Sequence, residues 1–173
     1  MKRKMVLLAT AAVTAMALTA CGGSDTQSGS GSGSSQSSGG DGFTFTSGST
    51  VIEMNADASA VVEELGEADD YFESESCAFE GLDKVYTYPG FQLNTYPVDD
   101  KDYVLSVVFM DDTVSTDEGI SIGSTKDEVT EAYGEPESES STEMVYAKGD
   151  TELTVGLDGD SVSTLEISAV TEE

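Results

Sequence analysis

One stretch of this sequence occurs twice, and that repetition restricts the possible folds more than any other property of the chain. Met54-Asn55-Ala56-Asp57, Val61 and Leu65-Gly66-Glu67-Ala68 match Ile122-Gly123-Ser124-Thr125, Val129 and Tyr133-Gly134-Glu135-Pro136, with the same five-residue step from valine to glycine. Each copy reads as a short helix, capped by Asn55 or Asp57 in the first and by Ser124 or Thr125 in the second. Gly66 and Gly134 supply the left-handed turn that ends it. The likeness continues in Val85-Tyr86-Thr87-Tyr88-Pro89-Gly90 and Val145-Tyr146-Ala147-Lys148-Gly149-Asp150, each a strand entering a turn. Next, Phe91, Leu93 and Thr95 alternate with Gln92 and Asn94 as Leu153, Val155 and Leu157 alternate with Thr154 and Gly156, the period of a half-buried strand. Third strands run from Tyr103 to Phe109 and from Val162 to Ser168, and Asp158-Gly159 is a favoured hairpin dipeptide.

A three-stranded meander under one short helix is marginal alone, so two such units are expected to share a sheet. The expected class is α+β: two tandem α-β-β-β units forming an antiparallel sheet, with the short helices packed on one face. The first unit covers 43–118 and the second 119–170, with a tail at 171–173. Unit one carries an insertion, Tyr71 to Leu82, where unit two has only Glu137 to Glu143.

Before the repeat the chain changes character. Lys2, Arg3 and Lys4 precede an apolar run from Met5 to about Leu18, shorter than the ~20 residues that span a bilayer. This is the build of a secretion signal, with its positive end held in the cytoplasm. It closes on Leu18-Thr19-Ala20-Cys21-Gly22, which resembles a bacterial lipobox. That resemblance implies cleavage between Ala20 and Cys21 of the 1–20 signal and attachment of diacylglycerol to the Cys21 thiol. Two acyl chains, at about 0.8 kcal/mol per buried methylene, hold a protein stably at a membrane. The tract to residue 42 is nearly all Ser and Gly, a flexible leash with a root-mean-square span of roughly 25 Å and a stretched limit near ~70 Å. Gly22 follows the cysteine, where aspartate would be one cue for inner-membrane retention. The expected location is the extracytoplasmic face of a cell membrane, in a Gram-positive-type envelope.

Composition narrows the function further. The chain holds 7 basic and 34 acidic residues, a formal charge of −27, which becomes −30 when the three basic residues of the signal leave. Nucleic acid is excluded as a partner, and so is docking on anionic headgroups beyond the lipid itself. With no histidine, His-based triads and His metal sites are unavailable. Once Cys21 is lipidated, Cys77 is the remaining thiol, so neither a disulfide within the chain nor a cysteine zinc site can form. Ala78 and Phe79 beside Cys77, with no basic residue near, predict a buried and inert thiol. Pairs such as Asp99 with Asp100, or Asp111 with Asp112, do not amount to the two placed acids of a glycosidase. Asp158-Gly159-Asp160 lacks the other ligands of a calcium loop and reads as a turn. No cofactor or metal is implied.

The helix segment Ile120-Ser121-Ile122-Gly123-Ser124-Thr125-Lys126-Asp127-Glu128-Val129 with Tyr133-Gly134-Glu135-Pro136 resembles the helix pattern of the beta-lactamase inhibitor protein fold and of its single-unit relatives, including the outer-membrane assembly lipoprotein BamE. The stretch from Ser76 to Tyr88 is similar to a segment of uncharacterised lipoproteins of Gram-positive bacteria. The resemblance spans about Val51 to Val170 and implies a protein-contacting module. Unit one departs from it in having Ala68 where unit two has Pro136, and in its insertion, so no contact residue carries over.

The candidate binding surface read from the residues is aromatic. Tyr86 and Tyr88 share one side of their strand, and Tyr96 and Tyr103 follow within the next two. Tyrosine offers large, rigid contact area, although packing under a helix is the competing role for each. Tyr96, out of phase with Phe91 and Leu93, is the member expected to be exposed. Together these features predict a membrane-anchored, non-catalytic module that binds an envelope or secreted protein or assists envelope assembly. The alternative is a small-ligand-binding lipoprotein serving a transporter or sensor.

Overall fold

The computed structural model describes residues 41–171. The secretion segment, Ala20, Cys21 and most of the Ser/Gly tract lie outside the described residues. In chain order the elements are β1 (Thr44–Ser47), β2 (Thr50–Glu53), α1 (Ala58–Leu65), β3 (Asp70–Glu75), β4 (Leu82–Tyr88), β5 (Phe91–Val98), β6 (Lys101–Phe109), α2 (Lys126–Tyr133), β7 (Ser138–Glu139), β8 (Glu143–Lys148), β9 (Thr151–Asp158) and β10 (Ser161–Ala169). Eight strands make one antiparallel sheet in the order β3-β4-β5-β6-β10-β9-β8-β7, and β1 pairs with β2 in a separate hairpin.

That strand order reads the same from both edges once the units are exchanged, because β6 and β10 meet in the middle as the third strands of the two meanders. Local geometry confirms the equivalence. Val104 exchanges backbone hydrogen bonds with Asn55 and Ala56, and Val162 does so with Gly123 and Ser124. Directly after each comes a bulge, at Leu105 and at Ser163. With Val104 matched to Val162, Val108 is the counterpart of Glu166, and these two face each other across the β6–β10 seam. The seam is therefore centred on an approximate two-fold axis.

The helices begin and end by the same devices in both units. Asp57 caps α1 by accepting from the Ser59 N–H, and Thr125 caps α2 in a reciprocal capping box with Glu128. Gly66 and Gly134 end them at φ 82°, ψ −154° and φ 81°, ψ −144°, a region open essentially to glycine. Each glycine carbonyl accepts a hydrogen bond from a tyrosine hydroxyl at 3.4 Å, Tyr88 in unit one and Tyr146 in unit two. Tyr88, not Tyr86, is thus the counterpart of Tyr146, so the sequence alignment slips by two residues over this strand. The slip arises because the β8–β9 hairpin runs two residues further on each side than β4–β5 before it turns.

The expected α+β class is corrected by the weight of its parts: the protein is mostly β. Each helix has eight residues, and they bury only Ala58 and Val61 in α1 and Val129 in α2. The layer over the sheet is built as much by the β1–β2 hairpin and its flanks, through Phe43, Phe45, Ile52 and Met54. Phe45 lies with its ring centroid 5.0 Å from both Phe91 and Phe109, edge to face. The hairpin was hidden in the sequence by the Ser/Gly tract before it, yet Phe43 and Phe45, then Thr50, Ile52 and Met54, alternate with the period of a strand. All of these side chains belong to one core with Leu93, Val107, Leu153, Val155 and Ile167.

Phe45→Ala is expected to cost about 3–5 kcal/mol in urea unfolding, as for other aromatic truncations in a core. Val51→Ala, on the opposite and exposed face of the same hairpin, should change stability by less than about 0.5 kcal/mol. Equal and small effects from the two would show that the hairpin is an appendage.

Candidate binding surface

The four tyrosines singled out from the sequence do not share one face. Tyr88 is buried and stacked on Phe91, centroids 5.2 Å apart and planes at 21°. Tyr86, on the same side of β4, is half-buried at the margin of the core, and its ring lies 5.0 Å from that of Tyr71. Tyr96 and Tyr103 pair across β5 and β6 on the opposite side of the sheet. Tyr96 is only 9 % exposed. Its phase was read correctly, but the tip of the β3–β4 hairpin folds back and lays Phe79 over it at 4.9 Å, while its hydroxyl donates to Asn55 Oδ1 at 2.8 Å. Phe79, Tyr96 and Tyr103 form a small satellite cluster outside the main core.

Cys77 is exposed, against the expectation of a buried thiol. Ser76 is the reason: its hydroxyl oxygen accepts from the N–H groups of Ala78 and Phe79, and the tight turn sends Phe79 inward and Cys77 outward.

What the insertion builds is a long hairpin standing at the sheet margin. All six residues of β3 are exposed, including Tyr71 at 47 % and Phe72 at 61 %, and Leu82 begins β4 beside them. By register, Tyr71, Glu73 and Lys84 lie on the side of Tyr86, whereas Phe72 lies with Val85 on the other. Tyr71 and Phe72 were missed because a strand with neither face buried has no amphipathic period to read. The available signal was an aromatic pair flanked by carboxylates just after a helix-ending glycine.

Charge on this surface is almost uncompensated. The four lysines after Cys21 are each committed nearby: Lys84 to Asp102 at 2.6 Å, Lys101 to Asp57 at 3.0 Å, Lys126 to Glu139 at 2.5 Å, and Lys148 over the Phe43 ring at 5.6 Å. Tyr71 donates to Glu73, and that bond, with burial and the nearby acids, pushes its hydroxyl above the ordinary tyrosine range. The hydroxyl therefore stays protonated at any physiological pH.

A cavity of about 640 Å³ lies between the start of the N-terminal hairpin, the entry to α1 and the β8–β9 turn, edged by Asp41, Phe43, Glu53, Asp57 and Asp150. Its hydroxyl at Thr151 is already engaged, accepting from the Phe43 N–H and donating to the Lys148 carbonyl. Among the described residues no three Cys, Asp or Glu side chains converge as a metal site, and no helix is long and apolar enough to cross a membrane. No protein-family model, curated protein or solved structure matches the chain.

Asp57, at the mouth of this cavity, is held down to about 2 by the Ser59 hydroxyl first and by Lys101 next. A carboxyl lowered on folding stabilises fully above its unfolded value near ~4 and loses that contribution as pH falls through the folded one. Asp57→Asn keeps a cap acceptor and drops the charge. Its melting temperature should fall less steeply than that of the native chain between about pH 4 and 2, and parallel curves would contradict the assignment.

Proposed function

We propose that the chain is a lipoprotein held by diacylglycerol on Cys21 at the extracytoplasmic face of a Gram-positive-type cell membrane, and that its folded body is a non-catalytic module binding an envelope or secreted protein. The observation carrying the second half is the β3–β4 hairpin, which breaks the symmetry of the repeat to place Tyr71, Phe72 and Leu82 in solvent. Exposed aromatics on a rigid strand are the usual anchors of protein interfaces. The resemblance read from the sequence of the α2 segment, to inhibitor-type and assembly modules, points the same way. The first half rests on the lipobox and the leash, which are read from sequence.

A second reading, that of a small-ligand lipoprotein serving a transporter or sensor, is favoured by the cavity of about 640 Å³, within the ~300–1,000 Å³ range of ligand sites. Its carboxylate lining would select a cationic ligand. Melting shifts against a panel of amines separate the two, since a ligand at a hundredfold its Kd adds about 2.7 kcal/mol.

Cys21→Ser should abolish acyl labelling and move the protein from the membrane fraction to the medium. In capture from native envelope, Phe72→Ser with Tyr71→Ser should weaken recovery of the partner by about tenfold or more, equivalent to losing ~1.4 kcal/mol of an interface anchor. Undiminished capture by this variant would remove the hairpin from the interface.

A further inference from the structure

The two edges of the sheet are related by the approximate two-fold and are finished in opposite ways. β7 has two residues, and its Glu139 is tied to Lys126 of α2. A short, charged, tethered strand is how folded proteins close an edge. β3 has six residues, Asp70-Tyr71-Phe72-Glu73-Ser74-Glu75, with no proline, lysine or bulge, all of them exposed. Its bonding follows from the closing turn. The Ser76 N–H bonds the Gly81 carbonyl at 3.0 Å, and an antiparallel ladder repeats that pattern at every second pair. Ser74 with Asp83, Phe72 with Val85 and Asp70 with Thr87 are therefore the bonded pairs. The N–H and C=O groups of Tyr71, Glu73 and Glu75 point away from β4, and among the described residues nothing pairs with them.

We propose that β3 is the docking edge for an extended, lysine- or arginine-rich segment of the partner protein, which adds to the sheet as a ninth strand. This rests on the protein-binding reading and names its mode. The backbone row supplies hydrogen bonds to any sequence, and side chains do the selecting. Asp69, Asp70, Glu73, Glu75 and Glu80 line the hairpin, and its one lysine, Lys84, is held by Asp102. Like charges directly opposite repel across a strand pair. A second copy of the chain, which would bring acidic β3 against acidic β3, is therefore refused, and a strand with a basic residue at every second position is accepted. The chain's own tract at residues 22–40 is refused too, having no basic and no apolar side chain.

The test uses the mature chain with Cys21→Ser, titrated with a peptide of alternating Lys and Val and with its Glu/Val counterpart, and read by amide hydrogen exchange. The basic peptide should slow exchange at Tyr71, Glu73 and Glu75 by about tenfold or more and leave the already bonded Asp70, Phe72 and Ser74 unchanged. The acidic peptide should do nothing. Glu73→Pro removes an outward N–H without touching a bond to β4, so it should fold normally and lose the peptide. Glu73→Lys with Glu75→Lys should exchange the preference, binding the acidic peptide instead. Absence of binding, slowing confined to other strands, peptide retention by Glu73→Pro, or a β3-dependent dimer in sedimentation would each overturn strand addition. Envelope capture then separates the two levels. If it needs Phe72 but is indifferent to Glu73→Pro, the mode fails and the binding surface stands. If it survives both variants, the partner binds elsewhere and strand addition at β3 fails; if the unaltered chain captures no reproducible partner, the protein-binding reading fails with it.

Discussion

The hydrogen-bonded seam between β6 and β10 is the constraint on which the rest of this structure depends. Each unit alone is a meander with one eight-residue helix that buries one or two side chains, too little to exclude water from both ends of a strand set. Joining the two at Ser106, Val107 and Val108 against Ser168, Ile167 and Glu166 makes a sheet broad enough to seat a third element. That element is the β1–β2 hairpin, whose Phe45 reaches Phe91 and Phe109 of unit one, while Phe43 reaches Tyr133 of unit two. The hairpin fastens both halves from one side as the seam fastens them edge to edge.

Divergence between the copies is concentrated in their hairpins, where added length disturbs no core contact. Unit two lengthens β8–β9, and the extra turn serves the core: Thr151 accepts from the Phe43 N–H and Lys148 lies over the Phe43 ring. Unit one lengthens β3–β4, and the addition faces solvent. One extension completes the fold and the other leaves it with an open, acidic edge. With every lysine after Cys21 already committed beside a carboxylate or an aromatic ring, a basic partner has no intramolecular competitor at that edge.

Strands with one buried face were legible in the sequence because alternation reports burial directly, as at Phe91, Leu93 and Thr95 or Leu153, Val155 and Leu157. Helix ends were legible to within a residue or two because Gly66 and Gly134 occupy conformations other residues avoid. The overall class was not. It turned on Phe43 to Met54, a hairpin whose turn, Ser47-Gly48-Ser49, looks like more of the tract before it. Side-chain environments were hardest where one insertion covers another element. Tyr96 has the phase of an exposed residue and is covered by Phe79, and Cys77 has the neighbours of a buried residue and is turned out by Ser76. Such outcomes depend on a loop's path, which local periodicity does not encode. Nor does a strand exposed on both faces leave a period, which is why β3, the heart of the candidate surface, read only as an insertion.

A seam of this kind makes the two units one cooperative sheet. Native-state hydrogen exchange at the amides of Ser106, Val107, Val108, Glu166, Ile167 and Ser168, followed through increasing denaturant, tests it most directly. Where these amides are bonded across the seam, they should exchange only through global unfolding, with one free energy shared by the amides of β5 and β9. Two separate free energies, one for each unit, with the seam opening before either, would contradict it.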